Sequence, residues 1–188
     1  MAKIAQTLGK PNDQKLYESK NEQLRTLIHK TFYDSKEASY GTGTQIDLVY
    51  PMLAGVTPES QLSNLLNTLY KNTAERFRSH LATGLVGIPI ITEWCIKNQQ
   101  VNFMYQMLKK RDYPSYSYMI DNGATTTWEH WNGERSHIHN CYNGIGTWFY
   151  QALAGIMPDE AHPGYKHVRI SPQLAKGISW VKASKETP

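Results

Sequence analysis

The sequence predicts a mainly α fold that gives way to β structure near its end, and three observations carry that prediction. Apolar residues recur three and four positions apart through most of the chain. The periodic stretches are separated by short connections bearing Gly and Pro, and after Pro158 the spacing changes to alternation. At 188 residues, 40% of them apolar and 19% charged, the chain is long enough for a real hydrophobic core, which argues against disorder. The net charge of +4 comes from scattered Lys and Arg with no basic run that could track a phosphate backbone, so no nucleic acid is expected as a partner. No stretch approaches the roughly 20 apolar residues of a membrane span, and Met1 to Lys10 lack the apolar core of a signal peptide. A soluble chain is expected, without membrane contact and without an address.

Taken in order, Ile4, Ala5 and Leu8 read as the last turns of a helix stopped by Gly9 and Pro11, so the chain begins in mid-element. A second helix runs from a cap at Asn12 or Asp13 to about Tyr33, with Leu16, Leu24, Leu27, Ile28 and Phe32 on one side. Tyr40-Gly41-Thr42-Gly43 is a turn. Ile46, Val49, Tyr50 and Leu53 follow at helical spacing in an element that Pro51 should kink or shorten and Gly55 should end. Pro58 opens the next helix, where Leu62, Leu65, Leu66, Leu69 and Phe77 face away from Lys71, Glu75 and Arg78. A further pair occupies Pro89 to Asn98 and Gln99 to Lys110. The clearest pattern is the last, Ile138, Tyr142, Ile145, Phe149, Ala152 and Ile156. Gly144 and Gly146 inside it cost roughly 1 kcal/mol each relative to Ala, so they should admit a close neighbour.

His167 to Ile170 and Ile178 to Ala183 read as two strands joined across Pro172 and Gly177. A lone hairpin is marginal in water, so these strands should belong to a larger sheet, and both ends of the chain read as cut. The sum is about six helices in antiparallel pairs, followed by the start of a β domain. Such hairpins fit half of a barrel of paired helices better than a closed bundle, a choice that periodicity alone leaves open. Cys95 and Cys141 lie in apolar helical stretches and read as buried free thiols.

The chemistry concentrates in Gly123-Ala124-Thr125-Thr126-Thr127-Trp128-Glu129-His130-Trp131-Asn132-Gly133. Three successive β-branched threonines disfavour helix and place Glu129 on an extended loop between helices. A carboxylate between Trp128 and Trp131 joins a group able to deprotonate water to flat apolar walls that can cover the C–H face of a sugar, which glycoside hydrolysis requires. The alternative is that both tryptophans are core and Glu129 is an ordinary exposed acid. His130, His137 and His139 crowd the same region, but His137 and His139 are two apart rather than four, so no metal site and no cofactor is expected. His139 suits capping or a hydrogen bond to a sugar hydroxyl. Asp47 and Glu93 are poorer candidates, each better read as a cap or a paired core acid. His162-Pro163-Gly164-Tyr165-Lys166-His167 reads as an ordered connection to the β domain without chemistry.

Taken together, the Gly-Ala-Thr-Thr-Thr-Trp-Glu-His-Trp run, Asn143-Gly144-Ile145-Gly146-Thr147-Trp148, Ala154-Gly155-Ile156 with Pro158-Asp159-Glu160, and Gly164-Tyr165-Lys166-His167 resemble family 78 of the glycoside hydrolases, the bacterial α-L-rhamnosidases. Tyr40-Gly41-Thr42-Gly43-Thr44-Gln45 with Asp47, Leu81-Ala82-Thr83-Gly84 and Tyr113-Pro114-Ser115-Tyr116 are similar to that family in the same order. The resemblance implies that residues 1–160 are the second half of an (α/α)6 six-hairpin barrel, and that residues 161–188 are a linker and the first strands of a C-terminal β-sandwich. It implies hydrolysis of terminal α-L-rhamnosides with inversion, with Glu129 as general base and with Trp128, Trp131 and His139 lining the rhamnose subsite. The substrate would be a rhamnose-containing glycoside or polysaccharide, and the parent enzyme would work in the bacterial cytoplasm or periplasm.

The methyl group of L-rhamnose, a 6-deoxy sugar, agrees with an aromatic wall. The family's general acid belongs to an earlier barrel segment that this sequence does not contain, so little activity is expected of the chain alone. Half a barrel should also expose helix faces through which the chain associates with itself. Two further readings remain: another glycosidase or lyase on the same barrel, and a non-catalytic remnant that binds rhamnose.

Overall fold

The positive-φ glycines partition this chain. In the computed structural model, which describes residues 1–159 and 161–186, Gly9 (φ +65), Gly55 (φ +66) and Gly155 (φ +68) each stand at or just beyond the end of a helical segment. Left-handed backbone there costs glycine little. The side chain of Cys141 lies outside the described residues, so the thiol predicted there does too. The chain divides into two compact units, Met1–Leu69 and a second from Tyr70 onward, with the division inside a helix and not at a glycine.

In the first unit, α1 (Ala2–Thr7) packs on α2 (Pro11–Phe32). The start of α2 differs from the expected cap at Asn12 or Asp13: Pro11 itself opens the helix, because its missing N–H is one that the first turn leaves unbonded anyway. None of the side chains of α2 is buried, and Leu16, Leu24, Leu27, Ile28 and Phe32 are all exposed. A two-residue ladder unforeseen from the pattern pairs β1 (Tyr33–Asp34) with β2 (Ser39–Tyr40). His29, Tyr33 and Tyr40 pack their rings together there, and the Tyr40 hydroxyl lies 2.7 Å from His29 Nδ1. The turn that follows closes with Gly43 N–H donating to the Tyr40 carbonyl at 3.0 Å. It leads into α3 (Gln45–Leu53), which contains Pro51 and ends two residues after it. The helix opened by Pro58 is α4 (Glu59–Glu75), with Leu65 and Leu69 fully buried; it ends before Phe77 and Arg78, which the apolar pattern places on it, and Arg78 takes a left-handed φ of +49.

The second unit is built on a helical hairpin, α5 (Gly87–Lys97) and α6 (Val101–Leu108), as the sequence predicts. Ile88, Ile91, Trp94, Cys95 and Met104 are buried on it, and burial pushes the Cys95 thiol far above its ordinary pKa. A short helix absent from the sequence reading, α7 (Tyr116–Asp121), starts where the Ser115 hydroxyl accepts from Tyr118 N–H at 2.9 Å.

The last helix corrects its expectation. Ile138 is outside it and exposed, and residues 140–153 pass from a 3-10 helix (Asn140–Ile145) through one α turn, α8 (Gly146–Trp148), to a π-helix (Phe149–Leu153). Gly144 does admit a close neighbour, since a Cβ there would lie 3.3 Å from Pro89 Cα of α5; Gly146 faces open space. Past Gly155 the chain turns back, so Ile156 belongs to β3 (Ile156–Pro158), not to the helix. β3 pairs antiparallel with β4 (Val168–Ile170), whereas Ile178 to Ala183 form no strand. Among the described residues no helix is long and apolar enough to cross a membrane.

Candidate active site

The loop between α7 and the 3-10 helix is closed at its base by two bonds between the same pair of residues. His139 N–H donates to the Thr127 carbonyl at 2.9 Å, and the Thr127 hydroxyl donates back to the His139 carbonyl and lies 2.8 Å from Asn143 Oδ1. Thr127, the last of the three threonines, thus fixes His139 at the entrance to the helical segment. Gly133 (φ +80) turns the loop, and a Cβ there would stand 2.9 Å from the Trp128 ring, so glycine is required on both counts.

Glu129 stands inside this closed loop. Its N–H donates to the Ser136 carbonyl at 2.8 Å, and Ser136 N–H donates to Glu129 Oε2 at 3.3 Å. The other carboxylate oxygen faces Arg135 Nη1 at 3.6 Å and His130 Nε2 at 3.9 Å. The side chain keeps 25% of its surface exposed. The Ser136 backbone bond, reinforced by the charges of His139, Arg135 and His130, holds the carboxyl below the ordinary glutamate range against a smaller desolvation effect. The group is therefore ionised at neutral pH and able to accept a proton. Ser136 and Arg135 were not singled out in the sequence; the nearest signal was Gly133, which bends the chain back so that they can reach.

The two tryptophans are placed by rings of their own. Trp128 is buried and stacked on His137 at 4.8 Å between centroids, and His137 Nε2 lies 2.7 Å from the Gly133 carbonyl. Trp131, also buried, stacks on Tyr142 at 4.1 Å and meets the edge of Tyr116 at 5.1 Å, while its indole N–H donates to the Thr83 carbonyl at 3.1 Å. The Tyr116 hydroxyl donates in turn to the Tyr142 carbonyl at 2.8 Å, and burial pushes its pKa strongly upward. Each indole thus has one face covered and offers a ligand only a small part of its ring.

Asp47 is a helix cap. Its carboxylate accepts from Thr42 N–H, the Thr42 hydroxyl and Thr44 N–H at 3.0–3.2 Å, and its own N–H donates to the Thr44 hydroxyl. Glu93 is paired with Lys97 at 2.6 Å, but on the surface and not in the core. With Asp159 and His167 it lines a cleft of about 1080 Å³ along α5, the segment 140–153 and the β3–β4 hairpin. Glu129, Trp128 and Trp131 take no part in that cleft, so the cleft and the candidate carboxylate are separate features of the unit.

Residues 1–153 match the family model of the bacterial alpha-L-rhamnosidase six-hairpin glycosidase domain. An alpha-L-rhamnosidase of Alteromonas sp. (strain LOR) is 32% identical over 198 residues, covering 99% of this chain and 21% of its own length. One from Formosa agariphila is 30% identical, covering all of this chain and 21% of its own. The crystal structure of a Streptomyces avermitilis alpha-L-rhamnosidase complexed with L-rhamnose superposes with a TM-score of 0.82 at 27% identity, over 93% of this chain and 17% of that one. The chain therefore spans about a fifth of the length of the curated relatives it matches, and its mainly α fold fits part of a helical barrel. It belongs to the bacterial α-L-rhamnosidase six-hairpin glycosidase family.

Proposed function

We propose that these residues serve the hydrolysis of terminal α-L-rhamnosides with inversion, and that Glu129 is the general base that takes a proton from the attacking water. The observation that carries the reading is the Glu129 carboxylate itself, kept ionised and oriented by Ser136, Arg135 and His130 while part of it stays open to solvent. Trp128, Trp131 and His139 belong to the rhamnose subsite: the two rings offer apolar edges that suit the deoxy-sugar methyl group, and His139 offers its imidazole on the same closed loop. Rhamnose-containing glycosides or polysaccharides are the substrate class. In support, the matched relatives carry the name of this activity, and the Streptomyces avermitilis enzyme was solved with L-rhamnose bound. Residues 1–160 are assigned to the barrel and 161–188 to a linker and the start of a β domain, and the family match over residues 1–153 supports the first assignment.

Inversion also needs a second carboxyl group, roughly 6.5 to 9.5 Å from the first, to protonate the leaving oxygen. The test therefore grafts this chain in place of the matching fifth of the Alteromonas relative and measures nitrophenol release from an aryl α-L-rhamnoside. The graft should turn over, and Glu129→Gln should lower kcat by about 10²- to 10⁴-fold, with azide restoring product as an external nucleophile. Unchanged turnover in Glu129→Gln would remove Glu129 from the mechanism. Rhamnose binding without turnover in an otherwise folded graft would favour the non-catalytic reading.

A further inference from the structure

Asp159, His162 and His167 stand apart from the Glu129 loop, and the proposed hydrolysis uses none of them. One ligating atom from each, a carboxylate oxygen and two ring nitrogens, lies within 4.8 Å of the other two. Asp159 Oδ2 is 2.8 Å from His162 Nδ1 and 3.9 Å from His167 Nδ1, and the two imidazoles pack at 3.7 Å between centroids.

The β3–β4 hairpin builds this cluster. Its register sets Pro158 opposite Val168, which makes Asp159 and His167 the next facing pair, joined by Asp159 N–H donating to the His167 carbonyl at 3.3 Å. The connecting loop then folds back, with His162 N–H on the Asp159 carbonyl and Ala161 N–H on Asp159 Oδ1, both at 3.0 Å. Two side chains thus come from the hairpin stem and a third from its loop, all converging on one point.

Two imidazoles and one carboxylate form a donor set suited to zinc and its neighbours. An ion bound at about 2.0–2.2 Å from each ligand holds the ligand atoms roughly 3.3–3.6 Å apart when tetrahedral. The two separations from Asp159, 2.8 and 3.9 Å, bracket that spacing, the three ligand atoms lie within 4.8 Å of one another, and the side chains that carry them are accessible and free to adjust around an ion. Because Asp159 and His167 also line the 1080 Å³ cleft, the remaining coordination positions are open to water or to a small ligand.

We propose that Asp159, His162 and His167 form a binding site for a divalent transition-metal ion of the zinc class, which clips the β3–β4 hairpin. The probe is Zn²⁺ alone, titrated calorimetrically into the chelator-treated chain, with Co²⁺ as a spectroscopic substitute. One equivalent should bind and raise the Tm, and Co²⁺ should give visible d–d bands. Removing an outer partner of a metal ligand already costs 10- to 100-fold in affinity, so His162→Ala and His167→Ala should each weaken binding by at least about tenfold. Asp159→Asn, which keeps the shape of the turn, should do the same with the far-ultraviolet spectrum unchanged. Replacing His130, His137 and His139 together should leave this binding intact. Absence of Zn²⁺ uptake by the parent chain, or equal affinity in the His162→Ala/His167→Ala double variant or in Asp159→Asn, would overturn the proposal.

Discussion

The carboxylate of Asp47 serves two pieces of backbone at once, the Tyr40 to Gly43 turn and the first turn of α3, and its energetics follow from that double duty. Burial raises its pKa, but the hydrogen bonds from Thr44 and Thr42 outweigh burial and leave it below the ordinary aspartate value. A folded-state pKa below the unfolded one means that the ionised carboxylate contributes stability above the unfolded value of 3.8, and that this contribution is lost as pH falls through the folded value. Asp47→Ala should therefore cost roughly 1–2 kcal/mol at neutral pH, the loss of a capping box with its companion bonds. In urea titrations the gap between parent and variant should shrink as pH drops below about 4. A gap independent of pH would mean that the side chain acts by packing and not by charge. The role was legible from one local fact, an Asp three residues after Thr44 ahead of an apolar run. Glu129 was legible only as a residue type between two tryptophans, because the groups that hold it, Ser136 and Arg135, reach it through a loop closure that no spacing announces.

Among elements, those read correctly obtain their regularity from their own side chains. In α4, α5 and α6 the apolar residues fall on one helical face and nothing interrupts the backbone. The stretch from Ile138 to Ile156 has the same periodicity but a different fate. Gly144 and Gly146 supply little helix propensity, and tertiary contact with α5 decides the winding, so the segment passes through 3-10, α and π forms. That misreading hid a second one. Assigning Ile156 to the helix removed β3 from view, and without β3 the five-residue spacing of His162 and His167 has no meaning; the hairpin is what brings them onto Asp159. The alternation from Ile178 to Ala183 failed for the converse reason, since a strand needs a partner as well as a pattern and none pairs with it among the described residues. The two glycines give a contrast within one element. Gly144→Val should destabilise by roughly 1–3 kcal/mol through overpacking against Pro89. Gly146→Ala, with open space around it, should be neutral or stabilise by up to about 1 kcal/mol. Equal effects in urea denaturation would show that winding, not the close approach to α5, decides the cost.

For the whole molecule the decisive feature is α2, whose 22 residues bury no side chain. Leu16, Leu24, Leu27, Ile28 and Phe32 lie on one side of it and face solvent, together with Ile4 and Leu8 from the neighbouring α1 stretch. So many exposed apolar side chains on one helix favour association, and each one removed from water contributes on the order of 1.5–3 kcal/mol. Burial of even a few of them against a second copy would offset much of the entropy lost on association. The chain in isolation should therefore associate with increasing concentration, read as a rising weight-average mass in sedimentation equilibrium. Added salt should not reverse the association, because apolar contact is not screened. Leu24→Lys with Leu27→Glu places charges in the middle of the surface without touching a buried residue, so the helical content of the variant should stay unchanged while its mass falls towards that of the monomer. If the parent chain stays monomeric at high concentration, or if the double variant associates as strongly, the apolar side of α2 is not the surface through which copies meet.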